Sequence, residues 1–265
     1  MHKGIDVSVH QGTIEWRVAR LDGVEFAMIK ATQGRGETPA TEQLQVFTDS
    51  RFVYNIEHAH AAGIKVGVYH YFTARTAEEV DREVEYFLSV IRPYRGMIDL
   101  WAAVDVESEP HLVGLTPSAL TALVKRFMRK VKAAGFRPML YTNLNYLWYR
   151  YTKNAFAAED IWLAQWGASS PAGDCKIFQP GKGRVSGITT DVDLDYGYFD
   201  LPEAEPERYA VNDKYTIKAG DVYIYSNGRT SPVPDTLIDK EYTISQVRDG
   251  RILLREIVSW VKVYP

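Results

Sequence analysis

The chain has 265 residues, of which 46% are hydrophobic and 25% charged, and this composition excludes a disordered or fibrous protein. No apolar run approaches the roughly 20 residues that a membrane-spanning helix needs, and a net charge of −3 provides no basic field for a nucleic-acid backbone. We therefore expect neither a membrane nor a nucleic acid as a partner. The length suits one domain of about 200 residues followed by a smaller one.

Cys175 is the only cysteine, so an internal disulfide is impossible. The chain opens directly with a structured pattern and lacks a cationic start followed by an apolar stretch, so no secretory signal peptide is visible. We expect a protein that is made in the cytoplasm, and that leaves the cell, if it does, by another route.

Eight short apolar runs in the first 200 residues are typical of strands, and several have the continuous Val, Ile, Ala and Tyr content of strands buried on both faces. They cover residues 4–9, 26–31, 65–72, 101–107, 138–142, 161–166, 176–179 and 191–195. Helices are predicted between them. One covers about 42–62, with Leu44, Phe47, Ile56 and Ala59 inward, and the others start at the cap residues Thr76 and Thr116.

Strands that alternate with helices indicate βαβ units and a parallel sheet, and eight of them favour a closed barrel. Residues 168–175 and 180–190 are too short for a crossover helix, which needs a dozen residues or more. The sequence therefore predicts an α/β fold with an irregular barrel, in which the last strands lack helices and antiparallel pairing can occur.

The pattern changes after residue 200. Residues 201–207 contain two prolines and three glutamates and are typical of a linker. Five short β runs separated by glycine turns follow it, which predicts a small all-β barrel. The expected domains are thus 1–200, the linker 201–207, and 208–265.

Several predicted strands carry a polar residue late, where the catalytic groups of parallel barrels lie. Asp105 and Glu107 are two residues apart in one strand, so both should face the mouth of the barrel. Two carboxylates that repel each other let one keep its proton to a higher pH, as the acid in glycoside cleavage requires. Asp6 and Asp193, on the first and last strands, should become neighbours when the barrel closes. The alternative for Asp105 and Glu107 is that both are rim charges paired with lysine or arginine.

Seven segments in order resemble the lysozymes (muramidases) of glycoside hydrolase family 25 and cover nearly all of residues 1–200. They are GIDVS at 4–8 with HQG at 10–12, FAMIKATQG at 26–34, GVYHYF at 67–72, VDVE at 104–107, YTN at 141–143, IWLAQW at 161–166 and VDLD at 192–195. Gln33 departs from the pattern, because many relatives have Glu at that position.

The resemblance implies cleavage of the β-1,4 bond between N-acetylmuramic acid and N-acetylglucosamine in bacterial peptidoglycan, without a cofactor or metal. By position, Glu107 would be the proton donor, Asp105 its companion carboxylate, and Asp6 and Asp193 the two other acidic residues. Attack by the substrate's own acetamido oxygen, by a carboxylate, or by water all remain open, and with them the stereochemical outcome.

Sugar rings bind to flat aromatic surfaces beside polar groups. The expected substrate contacts near the strand ends are Lys30, Tyr69, Tyr141, Trp162, Gln165 and Trp166. The aromatic segment 143–151 is predicted to form a wall of the substrate groove, with Leu147 and Trp148 packing between the barrel and its helices.

The tail resembles a bacterial SH3-type domain that binds the cell wall, so the chain resembles a modular phage endolysin. Such an enzyme would be made in the host bacterial cytoplasm without a signal peptide and would act on the wall after release. The alternatives are a non-catalytic peptidoglycan-binding barrel and a metal-dependent hydrolase, but no histidine spacing supports the latter. Asp191, Asp193 and Asp195 alternate like the start of a calcium loop, but an EF-hand would also need the glycine and glutamate that are missing here.

Overall fold

A computed structural model of the protein describes residues 1–34, 45–107, 110–202, 209–218, 221–225, 230–248 and 251–262. Contacts within the chain divide it into two units, Met1–Pro202 and Glu203–Pro265. No helix among the described residues is long and apolar enough to cross a membrane.

The first unit contains a closed barrel of eight strands. The strands of this unit are β1 (His2–Val7), β2 (Phe26–Gln33), β3 (Phe47–Thr48), β4 (Lys65–Tyr71), β5 (Ala102–Asp105), β6 (Pro138–Asn143), β7 (Ile161–Ala164), β8 (Ile177–Gly183) and β9 (Val192–Gly197). All of them except β3 form the barrel, in the order β1-β2-β4-β5-β6-β7-β8-β9, and β9 pairs with β1 to close it. The eight predicted strands are all confirmed.

The pairing becomes irregular where the sequence predicted it. The barrel strands β1, β2 and β4 to β8 pair in parallel, whereas β9 runs antiparallel to both β8 and β1. The connections from β7 to β8 and from β8 to β9 contain no helix. The connection 184–191 is too short to carry the chain back to the start of a parallel strand, so β9 returns in the opposite direction, whereas the longer connection 165–176 lets β8 run parallel to β7.

Four α-helices lie between the strands: α1 (Trp16–Leu21), α2 (Phe52–Ala61), α3 (Ala77–Ile91) and α4 (Pro117–Ala133). The cap residues Thr76 and Thr116 each accept a hydrogen bond from the backbone nitrogen three residues later, as predicted for α3 and α4. Shorter turns of helix cover Val9–Gln11, Arg92–Met97, Pro110–Leu112 and Tyr146–Arg150.

The predicted helix 42–62 is wrong in its first half. Helix α2 starts at Phe52, and Phe47 is exposed in the edge strand β3, which pairs with the end of β2. Ile56 and Ala59 are buried as predicted, whereas Leu44 lies outside the described residues. Apolar spacing alone did not distinguish this two-residue strand and its turn from an extra turn of helix.

The barrel has a core inside and another between its outer face and the helices. Because side chains alternate along a strand, Phe26 and Met28 point into the barrel while Ala27 and Ile29 face the helices. Two glycines make room for the inner residues. A Cβ atom at Gly4 would lie 2.2 Å from Cζ of Phe26, and one at Gly67 would lie 2.4 Å from Sδ of Met28.

The second unit contains one antiparallel sheet with its own apolar core. Its strands are β10 (Lys214–Thr216), β11 (Val222–Ile224), β12 (Thr230–Pro232), β13 (Glu241–Arg248), β14 (Arg251–Leu254) and β15 (Ser259–Lys262), in the order β10-β13-β14-β15-β11-β12. Five of these were predicted, and β12 was missed. Residues 203–208, most of the predicted linker, lie outside the described part of the chain, as do the glycine turns at 220, 227–228 and 249–250.

Candidate functional site

A cavity of about 630 Å³ opens at the end of the barrel where the parallel strands finish. Nine of the ten predicted site residues line it: Asp6, Lys30, Tyr69, Asp105, Glu107, Tyr141, Trp162, Trp166 and Asp193. The pleat of the strands brings them together, because residues two apart on each strand share the inner face.

Asp105 and Glu107 form an acidic pair on the rim of β5. Asp105 is the last residue of the strand and is 5% exposed, while Glu107 follows the strand and is half-buried. Burial raises the pKa of Asp105 well above its ordinary value, the charge of Glu107 raises it further, and the Lys30 ammonium opposes the shift. The pair therefore holds a proton at a pH where free carboxyl groups have lost theirs.

One oxygen of this pair is buried without a hydrogen-bond partner among the described residues. Oδ1 of Asp105 is buried and receives no hydrogen bond from any described residue. A buried polar atom without a partner costs free energy, and such atoms are enriched at functional sites. Because Asp105 lines the cavity, this cost falls on the candidate site.

Asp6 and Asp193 face each other across the seam of the barrel, as expected from its closure. They are paired in register between β1 and β9. Burial and the charge of Asp193 raise the pKa of Asp6, which a hydrogen bond from Gln179 opposes. Burial also raises the pKa of Asp193, and the Lys182 ammonium opposes that shift.

Gln179 connects Asp6 to two aromatic residues of the cavity, Tyr141 and Trp166. Its Nε2 donates to Oδ2 of Asp6 over 2.7 Å, and its Oε1 accepts hydrogen bonds from the Tyr141 hydroxyl at 3.1 Å and from Nε1 of Trp166 at 2.9 Å. The prediction did not place this residue in the site. A buried amide late in a barrel strand was the signal that could have identified it.

The aromatic residues form a floor and a rim. Trp162 is only 1% exposed and packs edge-on against Tyr69 and Tyr141, with ring centroids 5.8 and 4.5 Å away. Trp166 is 59% exposed and presents an open ring at the rim. Trp166 is therefore the ring best placed to stack on a sugar, while the other three shape the bottom of the cavity.

Gln165 is the predicted site residue that does not line the cavity. Trp162, Ala164 and Trp166 point inward, so the alternation turns Gln165 outward. Its Oε1 accepts a hydrogen bond from the backbone nitrogen of Ala172 at 3.0 Å and so supports the loop before β8.

The aromatic segment 143–151 also differs from its prediction, because none of its residues lines the cavity. Tyr146 and Tyr151 are buried in the outer core, and Leu147 packs against that core as expected. Trp148 was expected to pack there too, but it is 57% exposed. The segment forms a turn of π-helix that carries these rings along the outside of the barrel.

Lys182 was missed because of an irregularity in β8. Plain alternation from the inward Ile177 and Gln179 would turn this lysine outward, but the pairing of β8 with β9 shifts register between Phe178 and Gly181. The shift brings Lys182 to the cavity wall opposite Asp193, with its ammonium 5.3 Å from the Trp166 ring centroid. Tyr71, Gln33 and His111 are further lining residues that were not predicted as site residues.

The charge of Lys30 gives a testable pH dependence. Its ammonium favours the ionised form of Asp105, so Lys30→Met should raise the pKa of the acidic pair. The pH profile of any activity that uses the pair should move to higher pH by about 0.5–1 unit. The measurement is kcat/KM against pH, with Lys132→Met on the exposed face of α4 as the control. An unchanged or acid-shifted profile would contradict the assigned effect of Lys30.

No three His, Cys, Asp or Glu side chains in the described ranges are arranged to hold a metal ion. The cavity can instead supply carboxyl groups that carry or accept a proton, ammonium groups, and an exposed ring. This combination suits proton-assisted cleavage of a polar substrate with flat apolar faces, as sugars have.

Comparison with known proteins agrees with this chemistry. The autolytic lysozyme of Clostridium acetobutylicum is 30% identical over 197 residues, which are 73% of this chain and 55% of the relative. Lysozyme M1 of Streptomyces globisporus is 32% identical over 205 residues, 72% of this chain and 66% of the relative. The chain thus spans between 55% and 66% of the length of these two curated relatives.

The fold comparison and the family match point the same way. The crystal structure of the bacterial lysozyme from Streptomyces coelicolor superposes with a TM-score of 0.62 at 28% identity, over 75% of this chain and 92% of that one. Residues 5–179 match the family described as glycosyl hydrolases family 25, and this range contains three of the four cavity acids. The chain therefore belongs to glycosyl hydrolases family 25.

Proposed function

We propose that the protein is a muramidase, which hydrolyses the β-1,4 bond between N-acetylmuramic acid and N-acetylglucosamine in bacterial peptidoglycan. The observation that carries the proposal is the pair of buried Asp105 and half-buried Glu107 at the mouth of a family 25 barrel, where burial and the charge of Glu107 raise the pKa of Asp105 well above its ordinary value. The relatives named lysozyme support the choice of substrate.

In this proposal Glu107 donates the proton to the bridging oxygen. It lies beyond the strand end and is less buried than its partner, so it can reach a sugar bound across the cavity. Asp105 then lies beside the bond that breaks, and its free Oδ1 can bind and orient the acetamido group or stabilise the positive charge at the anomeric carbon. Asp6 and Asp193 complete the acidic ring on the opposite wall.

The glycan would bind between the open ring of Trp166 and the two lysines of the cavity wall. Tyr69, Tyr141 and Trp162 would limit its depth, since they are buried at the bottom of the cavity. The ammonium groups of Lys30 and Lys182 lie 5.0 and 5.3 Å from the centroids of the Tyr71 and Trp166 rings. Neither lysine forms an ion pair within the described ranges. Both can therefore donate hydrogen bonds to acidic or amide oxygens of the substrate.

Digestion of purified peptidoglycan tests the proposal. The protein should release soluble glycan fragments with new reducing sugars and without new amino termini. New amino termini without reducing sugars would mean that it cuts the peptide or amide bonds of the wall instead, and the proposal would be abandoned.

We further propose that the second unit is an SH3-like domain that binds a cell-wall ligand, so that the whole chain works as a modular endolysin of the phage type. Its six-stranded antiparallel sheet with a separate core supports an independent binding module. A second binding site on one chain raises the local concentration of the catalytic barrel at an insoluble wall.

A chain that ends at Pro202 tests whether the barrel cleaves the glycan while the second unit binds the cell wall. It should cleave soluble glycan at the rate of the full-length protein but clear intact bacterial cells about 10- to 100-fold more slowly, because it lacks the second contact. The measurement compares turbidity loss of cells with release of reducing sugar from soluble glycan. Equal clearing of cells by both forms would contradict the anchoring role.

A further inference from the structure

Asp195 is a fifth carboxyl group of the barrel interior, and the proposed mechanism does not use it. It lies on β9 two residues after Asp193, so it points inward one layer deeper. It is in register with Gly4 of β1 and is 0% exposed. Asp193 and Asp195 therefore form a column that descends into the barrel.

The contacts of Asp195 are few and unusual for a carboxylate. Its Oδ1 accepts a hydrogen bond from Nε1 of Trp162 at 2.8 Å. Its Oδ2 is buried and receives no hydrogen bond from any described residue. The Asp195 carboxyl group is also within hydrogen-bonding range of the Asp6 carboxyl group.

The titratable groups around Asp195 carry no positive charge. Asp6 faces it from β1, Asp193 from its own strand and Tyr141 from β6. Lys182, a cation of the cavity wall, acts on Asp6 and Asp193 instead. Within the described ranges no lysine, arginine or histidine forms an ion pair with Asp195.

A buried carboxylate without a cation is costly, and two carboxylates in contact cannot both be ionised at little cost. Burial raises the pKa of Asp195 well above its ordinary value, and the nearby charge of Asp6 raises it further. The two groups should therefore share one proton.

The surroundings decide which of the two holds the proton. Burial and the charges of Asp193 and Glu107 raise the pKa of Asp6, but Asp6 also borders the cavity, accepts a hydrogen bond of 2.7 Å from Gln179 and lies near the Lys182 ammonium, and the last two contacts stabilise its charged form. Asp195 has the single Trp162 hydrogen bond and no access to solvent. The negative charge is better accommodated on Asp6.

We propose that Asp195 is a protonated positioning residue, which donates a hydrogen bond to Asp6 and so holds Asp6 as an anion that faces the cavity. A carboxylic acid kept neutral by its apolar surroundings can serve as a hydrogen-bond donor at neutral pH. The protonation state stands independently of the reaction, whereas its catalytic consequence rests on the proposed muramidase function.

Infrared spectroscopy of the full-length protein tests the protonation state without any assay of activity. At pH 7 the difference spectrum between the wild type and D195N should show loss of a carboxylic-acid C=O band. The matched control is D191N, because Asp191 is exposed and paired with Arg184, and this variant should lose only ionised carboxylate bands. Loss of carboxylate bands in D195N as well would overturn the proposal.

The pH profile of peptidoglycan hydrolysis tests the role toward Asp6. In D195N the amide can still donate to Asp6, so the acidic limb of kcat/KM should stay in place. In D195A the anion loses a donor, so the pKa of Asp6 should rise and the acidic limb should move up by about one pH unit.

The opposite sign would contradict the proposal. If Asp195 were ionised in the wild type, D195N would remove a negative charge next to Asp6, and the acidic limb would move to lower pH. D195N and the infrared spectrum decide the question even if D195A does not fold. If the wild type shows no hydrolysis, the muramidase proposal fails. The infrared spectrum still decides the protonation state of Asp195, because it does not depend on activity.

Discussion

Replacing Glu107 with glutamine should abolish lysis of bacterial walls, with a fall in kcat of about 10²- to 10⁴-fold, the usual contribution of a positioned proton donor. Glutamine keeps the size of the side chain and its ability to form hydrogen bonds, but it has no proton of suitable acidity to give to the bridging oxygen. Because Glu107 is half-buried at the rim and outside any strand, the substitution should leave the stability of the fold unchanged.

The experiment measures release of reducing sugars, binding to peptidoglycan and the melting temperature of the same preparation. Glu57→Gln on the exposed side of α2 is the matched control and should behave as the wild type. Binding and melting temperature of Glu107→Gln should also equal those of the wild type. If this variant hydrolyses peptidoglycan at the parental rate, Glu107 is not the acid.

Asp105→Asn should lower kcat by about 10²- to 10³-fold with a much smaller change in KM, the range found when one electrostatic contact to a transition state is removed. Asparagine fits the space at the end of β5 but carries no charge that could respond to the developing positive charge on the sugar. A rise in KM at unchanged kcat would instead show that Asp105 only binds substrate.

The same variant should gain stability at high pH. Burial raises the pKa of Asp105, so ionising it opposes folding once the pH exceeds the pKa of the unfolded chain. Asp105→Asn removes this penalty, so it should melt above the wild type at pH 8, with a difference that shrinks toward pH 3. A variant that is less stable than the wild type at pH 8 but not at pH 3 would show that the carboxylate is ionised and well paired.

Much of the acidic site could be predicted from the sequence because one physical rule governs it. The two-residue period of a strand determines which side chains face the barrel interior, so Asp105 and Glu107 were predicted together without knowledge of the loops. The register of Asp6 with Asp193 confirms the closure of the barrel that the eight strands implied. Only the helix-free final third needed loop lengths as well.

The errors of the prediction lie where that rule is broken or was not applied. Lys182 follows a register shift in β8 that reverses the alternation, and Pro180 and Gly181, residue types typical of a bulge, were the signal that was not used. Gln165 was assigned to the site for its position near a strand end, although alternation with Trp162 and Trp166 already turned it outward. The rings of 143–151 were assigned by composition, which does not reveal the side of the chain on which a ring lies.

The chemical identity of the new glycan ends decides whether the protein is a muramidase. Purified peptidoglycan would be digested with the full-length protein, the products reduced with borohydride, and the reduced sugar identified after acid hydrolysis. We expect that reduced muramic acid is formed and that Glu107→Gln forms at least about 10²-fold less of it. Reduced glucosamine instead would place the cut at the other glycosidic bond, and binding to the wall without any new reducing end would mean a barrel that recognises peptidoglycan but does not cleave it.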